Sequence, residues 1–359
     1  MVTSDLLVYI IFFVGTLVIT LISNHLLLRF SKSLGIRNNN DILVRWSNQS
    51  KPSLGGISLF VGFLFSVVLC LIKFPTINLF ADLNFVGLFI ASSISFSMGL
   101  ADDAYNTRPY LKLFVQIFMG LIFLWTNVKI DLFHIPIIDS LFTVIWVVTL
   151  MNSINMLDNM DGISATTVFF ALLTCLISCY VIGNPTKPFW LFIIVSMLGS
   201  LIGFLSHNIY PSKLFMGDSG SQFLGLFVSF FSIKYLWNLG STTQHNAWIS
   251  IIITLVALTP AAADTLTVVI NRMRAGKSPM IGGKDHTTHH LVYAGYSDLK
   301  VWIIFSIIGF FSFLLSILII YLTINNIIIP NLFFILFFII VFLLLYRNTL
   351  KFKASNDSN

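Results

Sequence analysis

Glutamate is missing from the sequence, and all 14 acidic residues are aspartates. Charge of either sign is sparse, at 9% of 359 residues against 57% hydrophobic, and the mean hydropathy is +0.92. Those values exclude a soluble domain of this length. Cysteine is nearly missing too: Cys70, Cys175 and Cys179 fall inside apolar runs without metal-type spacing, so packing is their expected role. No linker rich in Pro, Ser or charge divides the chain and no internal repeat shows, so residues 1–359 read as one membrane domain. The first apolar run has neither a basic lead nor a small-residue cleavage site and is expected to remain as a helix.

What the chain does have is long apolar runs. A span needs roughly 20 apolar residues to cross a hydrocarbon core of about 30 Å. Eleven stretches qualify, or ten if a marginal one fails, near 5–28, 54–73, 84–100, 111–127, 136–152, 163–182, 188–206, 219–237, 247–270, 300–324 and 330–346. The fold class is therefore an all-α polytopic membrane helix bundle. With the N-terminus outside, 16 of the 20 Lys and Arg lie on the inner side, leaving only Lys73, Lys129, Lys187 and Lys234 outside. The net charge of +6 is then an ordinary positive-inside bias that calls for no nucleic acid. It would also attract anionic lipid and nucleotide phosphates. An active site is expected on the cytoplasmic face of the inner (cytoplasmic) membrane.

The polar content gathers in the inner loops, and Asp102, Asp103, Asp158, Asp161 and Asp218 sit at or just beyond span ends. A carboxylate inside hydrocarbon costs about 2.5–3.5 kcal/mol, so such groups pair, line a wet cavity or bind a cation. Asn152, Asn155 and Asp158 recur every third residue and neighbour one another on a helix, while Asp161 leaves that face unless Gly162 breaks the helix. An amide and carboxylates there suit a hard cation such as Mg²⁺, or else interhelical hydrogen bonds. Gly217-Asp218-Ser219-Gly220 places a carboxylate at a helix start, where N–H groups attract phosphate; Asp218 as a simple helix cap is the alternative. Asp102 and Asp103 point about 100° apart, so one can orient or deprotonate an attacking group while the other pairs with a cation such as Lys112. The long inner stretch 271–299 holds Arg272, Arg274, Lys277, Lys284, Asp285, His286, His289 and His290. Neither Cys nor Glu supports a zinc site there, and phosphate or sugar recognition fits the basic residues better. His25, His134 and His245 stand alone.

From about Lys51 to Ser297 four motifs follow one another: Gly55-Gly56-Ile57, Asp102-Asp103, Asn152-x-x-Asn155-x-x-Asp158-x-x-Asp161-Gly162 and Phe215-Met216-Gly217-Asp218-x-Gly220. In this order they resemble the polyprenyl-phosphate N-acetylhexosamine-1-phosphate transferases, most of all the bacterial undecaprenyl-phosphate GlcNAc-1-phosphate transferases. The resemblance implies transfer of a sugar-1-phosphate, GlcNAc-1-phosphate as leading choice, from a UDP-N-acetylhexosamine to a membrane polyprenyl phosphate. UMP is released, Mg²⁺ or Mn²⁺ is required, and the product opens a lipid-linked cell-envelope glycan. It implies metal ligation by Asn155 and Asp218, and service of the lipid phosphate by Asp102 or Asp103 as catalytic residues. Lys51 would bind substrate, Asp158 and Asp161 would line the nucleotide-sugar pocket, Asn208 and Phe215 would hold the uracil, and His286 and His289 would contact the diphosphate. A homodimer is compatible with it. Asp285-His286-Thr287-Thr288-His289-His290 departs from the three consecutive histidines followed by an acid of the related phospho-MurNAc-pentapeptide transferases, which argues against the peptidoglycan precursor as donor. It also departs from His-x-His-His-Arg members, since Thr288 replaces one His and His290 takes the place of Arg. Two rivals remain from the residues alone. An ion-coupled transporter would show broken helices in repeated halves. A CDP-alcohol phosphotransferase is mimicked by Asp158–Gly162 but lacks its later Arg and Asp, as Ser164, Ala165 and Thr166 follow.

Overall fold

A computed structural model describes residues 2–30, 51–182, 187–243, 247–278, 282–327 and 332–353. Lys32, Arg37, Arg45, Asn184 and His245 lie outside the described residues. The order is α1 (Val2–Phe30), α2 (Gly55–Lys73), α3 (Leu83–Tyr105), α4 (Pro109–Trp125), α5 (Pro136–Leu157), α6 (Ile163–Ile182) and α7 (Phe189–Asn208). There follow α8 (Gly217–Ser232), α9 (Leu239–Thr242), α10 (Ala247–Ala257), α11 (Thr259–Arg274), α12 (Thr287–Tyr293), α13 (Asp298–Ile324) and α14 (Leu332–Lys351). A π-helical turn, Ile233–Trp237, prolongs α8. The chain is an all-α, multi-pass membrane bundle.

Eight of these helices are long and apolar enough to cross a membrane, or nine if α10 and α11 together make one span. This is fewer than the eleven read from the sequence. The expected span at 111–127 is α4, whose 17 residues reach only about 26 Å. The one at 219–237 is a 16-residue α-helix passing into the π turn. The one at 247–270 is broken by 83° at Leu258. Its physical reason is Pro260, which has no N–H to give the carbonyl of Val256. The Thr259 hydroxyl serves the carbonyls of Leu255 and Val256 instead, at 3.1 and 2.9 Å.

Helix α8 is the centre. Every residue from Ser219 to Ser232 is buried, the mark of a helix enclosed on all sides. It packs on α2, α3, α5 and α6, while α1 lies outside against α7 and α2. Lipid-type exposure is carried by side chains such as Ile72, Phe114, Trp125 and Ile137, each at least 67% exposed. Asn24 near the end of α1 donates to Gly203 near the end of α7, so the chain's start lies at the bundle end away from Asn208. The end at which α3, α5 and α7 finish and α2 and α8 begin carries every polar motif singled out above. The stretch 271–299 proves to contain the last turn of α11 and all of α12.

Candidate active site

Two motifs some 160 positions apart form one local structure. Phe215 N donates to the Pro52 carbonyl at 3.0 Å, and Gly55 N and Gly56 N donate to the carbonyls of Phe215 and Met216 at 2.9 Å each. The first N–H groups of α2 are thereby satisfied without a side-chain cap. The glycines are needed for closeness: a Cβ on Gly56 would lie 2.2 Å from Gly220 N, and one on Gly99 2.3 Å from the Asp218 carbonyl oxygen. Gly217 turns the chain into α8 at φ +74°.

Asp103, at the end of α3, grips the start of α8. Its Oδ1 accepts from Asp218 N at 3.0 Å and its Oδ2 from Ser219 N at 2.9 Å. The expectation that these N–H groups await a phosphate is thus corrected, because a carboxylate of the same chain occupies them. Asp218 is not the cap. Its own carboxylate faces sideways: Oδ1 accepts from Asn155 Nδ2 at 2.5 Å and Oδ2 lies 3.2 Å from Lys112 Nζ. Asp102 is 2% exposed; its Oδ1 accepts from Thr107 N and Oγ1, and its Oδ2 pairs closely with the same Lys112. The expected partnership of one aspartate of the doublet with Lys112 is present. One ammonium therefore bridges carboxylates from α3 and α8, with the α5 amide beside them.

Asn155 also donates to Ser221 Oγ at 2.8 Å. One turn back, Asn152 and Gln116 exchange amide hydrogen bonds at 2.8 and 3.1 Å, and Gln116 donates to Gln222 at 3.0 Å. Sequence reading missed Gln116 and Gln222, although two glutamines inside apolar runs were signal enough.

Gly162, at φ +75°, breaks the chain between α5 and α6 as expected. The break does not bring Asp161 onto the Asn155 face: it accepts from Ser212 N at 2.9 Å and sits 3.8 Å from Lys51 Nζ. Lys51 donates to Ser212 Oγ at 3.2 Å and lies 5.2 Å over the Phe215 ring. Asp158 is the residue after α5, with its N–H bonded to the Asn155 carbonyl at 3.2 Å. Asn208 uses both ends of its amide on backbone, accepting from Gly162 N at 3.0 Å and donating to the Leu214 carbonyl at 2.9 Å. It ties the 162 turn to the 214 turn.

The third cluster comes from the bent helix. Asp264 on α11, wholly buried, accepts from Thr287 N, Thr287 Oγ1 and His286 Nδ1 at 2.9, 2.6 and 2.9 Å. An acceptor there fixes the His286 proton on Nδ1 and leaves Nε2 for another partner. Asp264 was overlooked in the sequence because it fell in mid-span, where a carboxylate is itself the signal. The His289 ring lies 5.5 Å from that of His286, edge to face, and burial pushes its imidazole down to about 3. Against its own burial, the Arg272 guanidinium holds the Asp285 carboxyl below the usual range through two short bonds. Thr288 Oγ1 donates to Asn159 Oδ1 at 2.6 Å, fastening α12 to the 158–162 turn.

Segments spread over two-thirds of the chain thus bring acids, amides, histidines, an arginine and the lysines Lys51 and Lys112 to a single end. Residues 85–236 match glycosyl transferase family 4. That segment contains Asp102, Asp103, Asn155, Asp158, Asp161, Asn208, Phe215 and Asp218, whereas Lys51, His286 and His289 lie outside it. Similarity to curated proteins extends further. A probable undecaprenyl-phosphate N-acetylglucosaminyl 1-phosphate transferase of Bacillus subtilis is 27% identical over 268 residues, covering 72% of this chain and 70% of that protein. A decaprenyl-phosphate N-acetylglucosaminephosphotransferase of Mycolicibacterium smegmatis is 27% identical over 290 residues, covering 74% and 71%. A phospho-N-acetylmuramoyl-pentapeptide-transferase of Streptococcus mutans is 26% identical over 324 residues, covering 82% and 89%. The chain is thus similar to glycosyl transferase family 4 over part of its length and, at modest identity, to these curated transferases over 72–82% of it.

Proposed function

We propose that the protein transfers N-acetylhexosamine-1-phosphate, GlcNAc-1-phosphate as the leading choice, from a UDP-sugar to a polyprenyl phosphate in the cytoplasmic membrane, releasing UMP. The observation that carries this reading is the convergence of Lys112 and Asn155 on Asp218, with Asp102 on the same ammonium, at the end of a membrane bundle. Relatives named for two different donors match at similar identity, so the donor is argued from 285–290, where the run of three histidines is missing. The side is argued from charge: Lys51, Arg108, Lys112, Lys213, Arg272, Lys277 and Lys300 lie at the site end, as cytoplasmic loops require.

The donor set fits a hard divalent ion. Among the described residues no three His, Cys, Asp or Glu form a metal cluster, and a Mg²⁺ ion here would take most of its shell from water and phosphate. Asp218 and Asn155 would hold it, and when bound it offsets negative charge on the diphosphate. In the reaction an oxygen of the lipid phosphate forms a bond to the sugar-bearing phosphorus as the bond to the UMP oxygen breaks. Lys112 brings positive charge to these anions. Asp103 is a positioning residue that sets the start of α8, and with it Asp218. His286, held by Asp264, offers Nε2 toward phosphate, while Lys51 and Phe215 form a cation and ring pair suited to a nucleotide.

The 83° break at Leu258 is the one feature a carrier would share, and it occurs once, without a repeated partner among the described residues. Purified protein given undecaprenyl phosphate and a panel of UDP-sugars should release UMP and form a lipid diphosphate sugar of matching mass. Excess chelator should abolish this and Mg²⁺ restore it. UDP-sugar movement without UMP would favour the carrier.

A further inference from the structure

At the bundle end opposite the candidate active site the protein has a polar cavity of about 260 Å³. Lys234 lies 16 residues along α8 and its π turn from Asp218, roughly 24 Å away at 1.5 Å per residue. Among the described residues only four Lys or Arg are at this end, and three of them, Lys129, Lys187 and Lys234, line this one cavity with Asn84, Asn127 and Trp190. Their gathering is not what a membrane protein's outer surface has by default, where Lys and Arg are depleted.

Lys234 is the deepest. Its Nζ donates to Asn84 Oδ1 at 2.7 Å and sits 4.8 Å over the Trp190 ring and 5.7 Å over that of Phe230. It makes no direct ion pair among the described residues, although a half-buried ammonium in a bundle ordinarily has one, and the Asp82 carboxylate acts on it only from a distance. Asn84 cannot supply more, because its Nδ2 is already committed to the Thr126 carbonyl at 2.9 Å. Asp82 offers one carboxylate, and Lys187 takes it at 2.8 Å. The cavity therefore keeps an excess of positive charge, with exposed Lys129 and Lys187 at its rim. The π turn that carries Lys234 is a rare geometry, frequent at functional sites.

We infer that this cavity binds a phosphate group, specifically the headgroup of an anionic lipid in the leaflet opposite the candidate active site. A phosphate monoester would give Lys234 its counter-ion, while Lys129 and Lys187 reach it from the rim. The acyl chains would leave toward lipid past the apolar outer surface.

The test uses full-length protein in detergent, titrated with phosphatidic acid or with phosphatidylcholine of the same acyl chains and read by native mass spectrometry. One phosphatidic acid per chain should bind at least about tenfold more tightly than phosphatidylcholine, and Lys234→Gln should remove that preference. A Lys129→Gln/Lys187→Gln double variant, altered only at the exposed rim, keeps the test valid if Lys234→Gln misfolds, and it should lose the preference too. Lys73→Gln, at the same end but outside the cavity, should retain it. Equilibrium dialysis against millimolar inorganic phosphate separates the sources: uptake that depends on Lys234 assigns the cavity to a soluble phosphate, and no uptake beside lipid binding assigns it to the membrane. Phosphatidic acid bound equally by the wild type, the rim variant and Lys73→Gln, with no phosphate taken up, overturns the inference.

Discussion

Two aspartates of the same motif set have exchanged the roles their positions suggest. Asp218 begins a helix and does not cap it; Asp103, near the end of α3, caps the start of α8. On the proposed reading Asp218→Asn should therefore cut UMP release by about a hundredfold or more, since it removes the charge paired with Lys112 and Asn cannot replace a carboxylate. A variant that folds and keeps near wild-type turnover would reduce Asp218 to packing. For Asp103 the expectation is different. Asp103→Asn keeps one acceptor for two N–H groups, so the folded protein should lose about 1 kcal/mol, seen as a lower melting temperature in detergent, with turnover falling through the displaced Asp218. Turnover lost by 10²- to 10⁴-fold at an unchanged melting temperature would instead make Asp103 the proton acceptor. None of this exchange was legible in the sequence, because which carboxylate reaches a helix start depends on how α3 and α8 cross. The pairing of Lys112 with the doublet was legible, since a lysine one short loop beyond an acid at a span end has little else to meet.

At the scale of elements, α12 is the part most sensitive to acid. Burial holds His289 neutral down to about 3, from 6.5 in an unfolded chain, and lowers His290 as well. Between those values the unfolded segment binds protons that the folded one does not, so stability is complete above 6.5 and declines as pH falls toward 3. Amide hydrogen exchange in residues 287–293 should therefore quicken, relative to α8, between pH 7 and pH 5 beyond the change in intrinsic rate. His289→Phe should flatten that dependence, and equal exchange at both pH values would contradict it. Helix α12 itself was hidden from a hydropathy reading, being seven residues long and built around Asp264 on another element. Long apolar helices such as α2, α6 and α13 were legible nearly to the residue. The break at Leu258 was written in Thr259-Pro260, yet its apolar flanks masked it.

For the whole molecule, orientation is the open consequence of charge. A single cysteine at Lys277, on a background without Cys70, Cys175 and Cys179, should react with impermeant maleimide in inside-out vesicles and not in intact cells; the reverse would invert the topology. The eleven spans expected and the eight or nine among the described residues differ at three places: α4 is a short apolar helix, α8 gives way to a π turn at the end away from the site, and α10 and α11 are bent apart at Leu258. The junction of residues 52–56 with 215–217 also has a bearing on biogenesis. Gly55 and Gly56 have no bonding partner for their N–H groups until Phe215 and Met216 have been synthesised, and Asp103 has nothing to cap until Asp218 and Ser219 arrive. The earlier helices must therefore wait in the bilayer through the making of α4 to α7. Insertion of α8 is the event that completes this junction, with α10 to α14 still to come, and a chain stalled before Phe215 has membrane helices but no site.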